Sequence, residues 1–171
     1  MIRVYCDFDG TISPTDVGEA MFRHFLGPRA DQIAEPLLKG EIGNKELLLR
    51  ECRALPPLTE DEIVRFALQH SLDPTFRKFT TFCEEHSIVL TILSDGLDIY
   101  IDLLLRREGI SHLPVYANRT HFVENEGNVH LSVSFPYTDE ECHECGNCKR
   151  NHMLVQSADE DVLIYIGDGY S

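Results

Sequence analysis

Four short apolar runs lie along the chain, each followed by polar or glycine residues. They cover residues 2–6, 88–93, 115–117 and 162–166. Continuous apolar runs of this length are typical of strands buried within a sheet. Residues 120–133, which carry the turn sequence Asn-Glu-Gly-Asn at 125–128, predict a β-hairpin in addition.

Amphipathic segments with helical spacing separate the apolar runs. Local signals set their ends: Gly27-Pro28 ends the first helix, Thr59 and Glu62 have the spacing of a capping box, and Asp73-Pro74 starts a helix. The predicted helices cover residues 16–25, 29–39, 44–53, 60–70, 75–86 and 97–108, and a short one begins near residue 150.

This order of strands and helices predicts an α/β fold with an open, mainly parallel, Rossmann-like sheet. The stretch 15–72 contains helices and no strand, so we interpret it as a helical cap inserted after the first strand. The predicted domains are a core of residues 1–14 and 73–171 and a cap of residues 15–72. The pattern shows no internal repeat and carries no signal for an oligomeric state.

Composition narrows the class of protein. With 43% hydrophobic and 26% charged residues, the chain resembles ordinary soluble globular proteins. Its 29 acidic and 15 basic residues give a net charge of −14, which argues against binding a nucleic-acid backbone. Its apolar runs are too short to span a membrane. The first strand leads directly to Asp7, so we expect no signal peptide, a cytoplasmic location and cysteines that are mainly reduced.

Polar side chains follow three of the predicted strands. Asp7 and Asp9 follow the first, Ser94 and its neighbours the second, and Asp168 the last. The carboxyl ends of parallel strands share one edge of the sheet, where ligands bind. Carboxylates crowded there repel each other unless a cation is bound, and Mg²⁺ prefers oxygen ligands. Because Mg²⁺ would also attract a phosphate, the pattern predicts a metal and phosphate site.

Taken singly, each of these features has a plainer interpretation. An Asp-x-Asp pair at a strand end is often a turn or a helix cap, and Ser94 could cap the next helix. Asp168, between two glycines, could be only a turn residue. The occurrence of all three at strand ends, in this order, favours a functional site.

These motifs are similar to those of the haloacid dehalogenase superfamily of phosphatases. Asp-Phe-Asp-Gly-Thr-Ile at 7–12 resembles its first motif, Ile-Leu-Ser-Asp-Gly at 92–96 its second, Lys149 its third and Ile-Gly-Asp-Gly-Tyr-Ser at 166–171 its fourth. The helical stretch after the first motif resembles the small cap of the phosphoserine phosphatase branch. Within that branch, Cys-Gly-Asn-Cys-Lys at 145–149 resembles the cysteine-rich stretch of the methionine-salvage phosphatase, which acts on 2-hydroxy-3-keto-5-methylthiopentenyl-1-phosphate.

The resemblance implies an aspartyl-phosphate mechanism. Asp7 would be the nucleophile, and Asp9 would protonate the leaving oxygen and then activate water. Asp7, Asp168 and the backbone carbonyl of Asp9 would bind Mg²⁺.

It also implies how the phosphate is held. Ser94 and the backbone N–H of Asp95 or Gly96 would donate hydrogen bonds to phosphoryl oxygens. Lys149 would neutralise the phosphate and orient Asp7. The plainer interpretation of Lys149 is a solvated lysine at a helix start, although a helix N-terminus disfavours cations.

Two residues of the predicted cap are candidates for substrate binding. Asp16 matches in position an acid that recognises the substrate in the phosphoserine branch, and it is read equally well as a helix N-cap. Arg50 lies on a helix that could face the site, where an arginine suits a carboxylate or a second oxyanion. Surface arginines are also common on helices.

Cys142, Cys145 and Cys148 are separated by two residues each. Three thiols with this spacing could bind a structural Zn²⁺, and the alternatives are free thiols or a disulfide formed in vitro. The other three cysteines lie in apolar patterns typical of core packing.

The sequence therefore predicts a Mg²⁺-dependent phosphatase that acts on a small phosphorylated metabolite. The alternatives are phosphoserine phosphatase proper, a phosphate- or metal-binding module without turnover, and a zinc-stabilised interaction module. The fourth motif of the family continues with a further Asp, and its sheet with a further strand and helix. Since this sequence ends at Ser171, the resemblance implies a C-terminally incomplete core: either the chain is a fragment, or the sheet ends short with an exposed edge.

Overall fold

A five-stranded sheet lies at the centre of the computed structural model, which describes residues 1–139, 141 and 144–169. The strands are β1 (Ile2–Cys6), β2 (Val89–Leu97), β3 (Val115–Asn125), β4 (Asn128–Ser134) and β5 (Val162–Ile166). The helices are α1 (Val17–Leu26), α2 (Arg29–Leu38), α3 (Asn44–Ala54), α4 (Glu60–Ala67), α5 (Phe76–Glu85), α6 (Asp98–Arg107) and α7 (Lys149–Val155).

The strand order is β4-β3-β2-β1-β5. β1 lies between β2 and β5 and is parallel to both, with Val4 opposite Leu90 on one side and Ile164 on the other. β2 and β3 are also parallel, and only β3 and β4 pair in the antiparallel sense. The predicted α/β fold with a mainly parallel sheet is confirmed. Because β1, β2 and β5 are parallel, their carboxyl ends lie at one edge.

β3 differs from the prediction of a short strand followed by a separate hairpin. It is one strand of 11 residues, parallel to β2 as far as Asn118 and antiparallel to β4 from Arg119 onwards. The polar Asn118 resembles a strand end in the sequence, but it is buried and its side chain donates to the Asp95 carbonyl oxygen. This hydrogen bond pairs the buried Nδ2 donor of Asn118 and lets the strand continue.

Local capping explains where the helices begin. The Asp16 side chain accepts a hydrogen bond from the Glu19 N–H, so Asp16 is the N-cap of α1, and Thr59 and Glu62 form the predicted capping box of α4. α5 starts later than predicted. The Asp73 carboxylate accepts from both the backbone and the side chain of Thr75, which makes a turn before the first helical residue.

Helices α1 to α4 form the stretch between β1 and α5. The two ends of this stretch meet where the Asp73 N–H donates to the Ile12 carbonyl oxygen at 2.8 Å. Two further backbone hydrogen bonds tie this stretch to the rest: Leu58 N–H to Val129 O, and Lys45 N–H to Glu144 O. The division into a core and a cap at 15–72 stays a prediction.

The buried core is continuous from the sheet into the helices. Its largest fully buried side chains include Phe8, Ile92 and Tyr100. Within the described ranges, no helix has both the length and the apolar character that a membrane crossing requires.

β5 is an edge strand. In the described residues it pairs only with β1, and Val162 and Ile164 are 57% and 42% exposed. The apolar run at 162–166 therefore forms the predicted strand, and several of its apolar side chains are exposed. A run of apolar residues reflects strand propensity as well as burial, and an edge strand can have the first without the second.

Candidate active site

Asp7 is the first residue after β1 and is only 3% exposed. Its N–H donates to the Ile166 carbonyl oxygen of β5, so its backbone is fixed by the sheet. Its carboxylate is held from two sides. Oδ1 accepts from the Phe8 N–H at 2.8 Å, and Oδ2 accepts from Lys149 Nζ at 2.6 Å and from the Tyr165 hydroxyl at 3.2 Å. These hydrogen bonds fix the orientation of the carboxylate.

Phe8 explains how two acids share one edge. Phe8 lies between the two acids in sequence, and its side chain is fully buried. Successive side chains alternate in direction at a strand end, so the acids on either side of Phe8 can face the same site. Gly10 follows with a φ of 71°, a left-handed conformation that glycine adopts without strain. The turn brings Asp9 into bridge pairing with Ser13 and leads the chain towards α1.

Asp9 is fixed by two hydrogen bonds. Oδ1 accepts from the Val17 N–H at 2.8 Å, and Oδ2 accepts from the buried Tyr100 hydroxyl at 2.7 Å. Burial and the nearby Asp16 carboxylate raise the pKa of Asp9 to about 7, although the hydrogen bonds from Tyr100 and Val17 oppose the rise. A carboxyl with this pKa exists in both protonation states near neutral pH, as a general acid and base requires.

Asp168 follows β5 and lies beside the turn at Gly10. A methyl group on Gly10 would come within 2.5 Å of Asp168 Oδ2. The missing side chain of Gly10 therefore makes room for this carboxylate next to the Asp7–Asp9 turn. Glycine is required here both by its φ and by this close approach.

Ser94, Asp95 and Gly96 belong to β2 itself, close to its C-terminal end, rather than to the segment after it. Ser94 is 1% exposed, and its Oγ accepts from the Gly96 N–H at 2.9 Å. Gly96 packs against Asp9 and Tyr100, and a methyl group there would come within 2.6 Å of Asp9 Oδ2. The second motif thus lies directly against the first.

Lys149 is the first residue of α7, and a buried network fixes the segment that leads to it. Asn147 Nδ2 donates to the carbonyl oxygens of Ser94 and Tyr116, and the Asn147 N–H donates to Asp95 Oδ1. Burial alone would lower the pKa of Lys149, but the Asp7 carboxylate more than offsets it and the pKa is raised. Lys149 is therefore a cation beside Asp7 and not a solvated lysine.

One cleft of about 560 Å³ brings the predicted site residues together. The lining includes Asp7, Asp9, Asp16, Ser94, Asp95, Gly96, Lys149 and Asp168. Its other side is formed by α1, α2 and α3, and consists largely of Phe, Leu and Ala side chains. The arrangement combines a buried carboxylate, a second carboxyl with a pKa near neutrality and a lysine, which is suited to attack on a phosphate ester.

The two substrate-binding candidates are placed differently. Asp16 both caps α1 and lines the cleft, so the two interpretations of its position are compatible. Arg50 is half-exposed, pairs with Glu46 at 2.8 Å, and is not among the described residues that line the cleft. A substrate contact for Arg50 stays a prediction that this placement does not favour.

The cysteine cluster falls partly outside the described residues, because Cys142 is not among them. Of the other two, Cys148 is buried directly before α7, and Cys145 is partly buried. In the described ranges, no group of three or more His, Cys, Asp or Glu side chains is placed to hold a metal. The zinc site stays a prediction. Ser171 also lies outside the described residues.

Four site residues were missed by the sequence reasoning: Tyr100, Tyr165, Asn147 and Glu51. The tyrosines lie in apolar stretches that predict core packing, and only the tertiary structure brings their hydroxyls to Asp9 and Asp7. Asn147, between two cysteines, carries no signal of its own. Glu51 could have been found, since it follows Leu47 and Leu48 at helical spacing on an apolar face.

Comparisons with known proteins identify the family of the chain and its relatives. A family model described as haloacid dehalogenase-like hydrolase matches residues 4–171. The 2-hydroxy-3-keto-5-methylthiopentenyl-1-phosphate phosphatase of Bacillus mycoides (strain KBAB4) is 32% identical over 170 residues, which are 98% of this chain and 75% of that protein.

Solved structures share the fold. Phosphoserine phosphatase from T. onnurineus superposes with a TM-score of 0.67 at 17% identity, covering 98% of this chain and 75% of that one. A phospho-aspartyl intermediate analogue of phosphoserine phosphatase gives a TM-score of 0.60 at 14% identity, covering 78% of this chain and 63% of that one. At these identities the likeness concerns the fold alone.

Proposed function

This chain belongs to the haloacid dehalogenase-like hydrolase family, and on that basis we propose that it is a Mg²⁺-dependent phosphatase that forms an aspartyl-phosphate on Asp7. The observation that carries the proposal is the 2.6 Å ion pair between Asp7 and Lys149, which joins groups 142 residues apart at the floor of the cleft. The Lys149 ammonium group thus lies beside the buried carboxylate that would act as the nucleophile.

The first half of the reaction uses Asp7 and Asp9. A carboxylate oxygen of Asp7 attacks phosphorus, the bond between phosphorus and the leaving oxygen breaks, and Asp9 gives that oxygen a proton. In the second half, Asp9 takes a proton from a water molecule that attacks phosphorus, and Asp7 is released with inorganic phosphate. The hydrogen bonds from Tyr100 and Val17 hold Asp9 in position for both transfers.

Ser94 and Lys149 hold the transferring phosphoryl group. The Ser94 hydroxyl can donate to a phosphoryl oxygen, because its oxygen already accepts from the Gly96 N–H. Lys149 neutralises charge on the phosphate beside Asp7. Donors positioned in this way each contribute about 3–4 kcal/mol to transition-state stabilisation.

The edge of the sheet fits Mg²⁺. Its donors are all oxygens, and the absent side chain of Gly10 leaves a space beside Asp168 Oδ2. The ion would be held by the side chains of Asp7 and Asp168 and by the backbone carbonyl of Asp9. When bound, the ion would neutralise charge on the phosphoryl group.

We propose the substrate from the names of the relatives. Because the Bacillus relatives are named 2-hydroxy-3-keto-5-methylthiopentenyl-1-phosphate phosphatases, we place this enzyme in methionine salvage, in the cytoplasm. The helical stretch 15–72 would act as the cap that covers the substrate, since α1 to α3 line the side of the cleft away from Asp7.

Hydrolysis of p-nitrophenyl phosphate tests the chemistry independently of the natural substrate. The wild type should release phosphate with Mg²⁺ and lose activity with EDTA, and Asp7→Asn should abolish turnover. Asp61→Asn, which changes an exposed carboxylate in α4, is the matched control. Phosphate binding without release by the wild type would favour a non-catalytic module, and EDTA-resistant turnover would contradict the metal role.

A further inference from the structure

Glu51 is a buried carboxyl that the phosphatase reaction does not use. It lies in the third turn of α3, is 9% exposed, and lines the cleft with Leu47 and Leu48 of the preceding turn. Charged side chains are seldom buried to this extent without a partner. Between described residues, no hydrogen bond or ion pair involves the Glu51 carboxyl.

The charges that face Glu51 from other elements do not supply a partner. Asp16 and Glu19, at the start of α1, are acidic like Glu51. Arg23 of α1 is the nearby cation, but it is paired with Glu19 at 2.8 Å and with Asp31 at 2.6 Å. Burial, followed by Asp16 and Glu19, raises the pKa of Glu51 to about 8, and Arg23 opposes the rise. At neutral pH the carboxyl is therefore mostly neutral, and it can both donate and accept a hydrogen bond.

The surroundings of Glu51 limit what can bind next to it. Phe22, Leu37, Leu47 and Leu48 make this side of the cleft apolar. The described cations of the lining are Arg23, which is already paired, and Lys149 at the phosphate end. A carboxylate on the substrate would thus meet acids and apolar side chains and no available cation.

We propose that Glu51 is a specificity residue that hydrogen-bonds a hydroxyl or carbonyl group on an otherwise apolar, uncharged tail of the phosphate ester. This inference rests on the proposed phosphatase function and adds the residue that selects the substrate. A site that hydrogen-bonds a substrate hydroxyl disfavours analogues that lack it, because its own buried polar group is then left unpaired. An amino acid phosphate such as phosphoserine is disfavoured by its carboxylate.

The test uses a series of phosphate monoesters: pentyl phosphate, its isomers with one hydroxyl at carbon 2, 3, 4 or 5, 2-aminoethyl phosphate and O-phosphoserine. The measured quantity is kcat/KM for each ester divided by kcat/KM for pentyl phosphate. In the wild type, at least one hydroxylated isomer should be preferred about tenfold, the value of one good hydrogen bond.

Two variants of Glu51 separate hydrogen bonding from packing. Glu51→Leu should bring the ratio for the preferred isomer close to one, whereas Glu51→Gln, which can still donate and accept, should keep most of it. Glu46→Leu on the exposed face of α3 is the control and should keep the wild-type ratio. A general loss of packing would lower kcat/KM for both esters and leave the ratio unchanged.

Several results would overturn the inference. A wild type that prefers 2-aminoethyl phosphate, with the preference lost in Glu51→Gln, would make Glu51 a carboxylate that binds a cation. A preference for O-phosphoserine, or an unchanged ratio in Glu51→Leu, would also contradict it. If no ester is hydrolysed, the proposed function has failed. Calorimetric titration of Asp7→Asn with the same esters then decides the role of Glu51 from binding, and absence of any preference refutes it.

Discussion

At the scale of single residues, the site depends on hydrogen bonds that fix charged groups before any substrate arrives. Asp7 accepts from Phe8, Lys149 and Tyr165, and Asp9 accepts from Val17 and Tyr100. Groups held in this way need little reorganisation during the reaction. The residues that do the holding come from distant parts of the chain.

Asn147 shows how much such holding contributes. It is 1% exposed and donates to the carbonyl oxygens of Ser94 and Tyr116, while its Oδ1 contacts His152 Nε2 at 2.8 Å. Asn147→Ala should lower kcat for p-nitrophenyl phosphate by about 10- to 100-fold, because small displacements of Ser94 and Lys149 weaken phosphate binding in the transition state.

Steady-state kinetics check this prediction, with Asn151→Ala as the control. Asn151 lies four residues further on, in α7, where its side chain donates to Asp139 Oδ2, and it is not among the described residues that line the cleft. Equal kcat values for the two variants would show that the Asn147 network does not position the site.

Glu51 makes a prediction about stability. Its pKa is raised to about 8 in the folded chain and lies near 4.5 in the unfolded chain, so folding takes up a proton between these values. Burial of Glu51 thus lowers the free energy of unfolding least at about pH 4.5 and below. As pH rises towards 8, the free energy of unfolding falls by up to about 1.4 kcal/mol per pH unit.

Urea unfolding at about pH 5 and pH 8 measures this effect. Glu51→Gln stays neutral, so it should gain a few kcal/mol over the wild type between these pH values. Glu46→Gln, on the exposed face, should show no such gain. Parallel pH profiles for the wild type and Glu51→Gln would mean that Glu51 is solvated.

At the scale of elements, strand order decides which motifs meet. β1 lies between β2 and β5, so residues 7, 94 and 168 come to one edge although they are far apart in sequence. This convergence could be predicted, because it follows from apolar runs and the rule for parallel sheets. The position of Lys149 was predicted only through the resemblance, since no local pattern links a lysine after a cysteine-rich loop to a strand end.

The errors at this scale have physical causes. β3 continues through Asn118, and β2 continues through Gly96, because buried side-chain hydrogen bonds replace the apolar contacts that a strand pattern would show. α5 begins late because Asp73 closes a turn on Thr75. The cap side of the site was predicted least well. Arg50 and Glu51 are neighbours on α3, and the charge of Arg50 led to its choice although helical spacing with Leu47 and Leu48 marks Glu51, which lines the cleft.

An ion-pair network between the starts of β1 and β5 should make the stability of the sheet sensitive to acid. The Asp161 carboxylate accepts from Arg3 at 2.6 Å and from the N-terminal amine at 2.9 Å, which holds its pKa well below the usual range. A lowered pKa means that this stabilisation is present above about pH 4 and is lost as the carboxyl is protonated at lower pH.

Asp161→Asn should therefore lower the thermal midpoint at neutral pH and reduce the dependence of that midpoint on pH in the acid range. Differential scanning calorimetry at several pH values measures both. Asp159→Asn, in the same loop, is the control. An acid dependence that is identical in the wild type and Asp161→Asn would show that this ion pair does not link β1 and β5.

At the scale of the whole molecule, the negative charge of the chain opposes the binding of a negatively charged phosphate ester. The chain carries a net charge of −14, and the cleft is lined by eight acids among the described residues. A phosphate dianion is repelled at long range and attracted only near Lys149 and a bound cation. Such a field slows association and is screened by salt.

With Mg²⁺ saturating, kcat/KM for p-nitrophenyl phosphate should rise about two- to threefold when NaCl is raised from about 10 to 150 mM. kcat should change little, because the groups that act on the phosphate are buried. Initial rates at fixed Mg²⁺ measure both constants. A fall in kcat/KM with salt would show that local cations dominate the field at the cleft entrance.

The central claim is that Asp7 becomes phosphorylated during turnover. The most direct measurement is acid quenching of the wild type during hydrolysis of p-nitrophenyl phosphate with Mg²⁺, followed by digestion and mass spectrometry of the peptide that contains Asp7. We expect that peptide to gain the mass of one phosphoryl group at Asp7, and the gain to be absent in Asp7→Asn. Turnover with no phosphorylated peptide, or with the phosphoryl group on another residue, would contradict the mechanism.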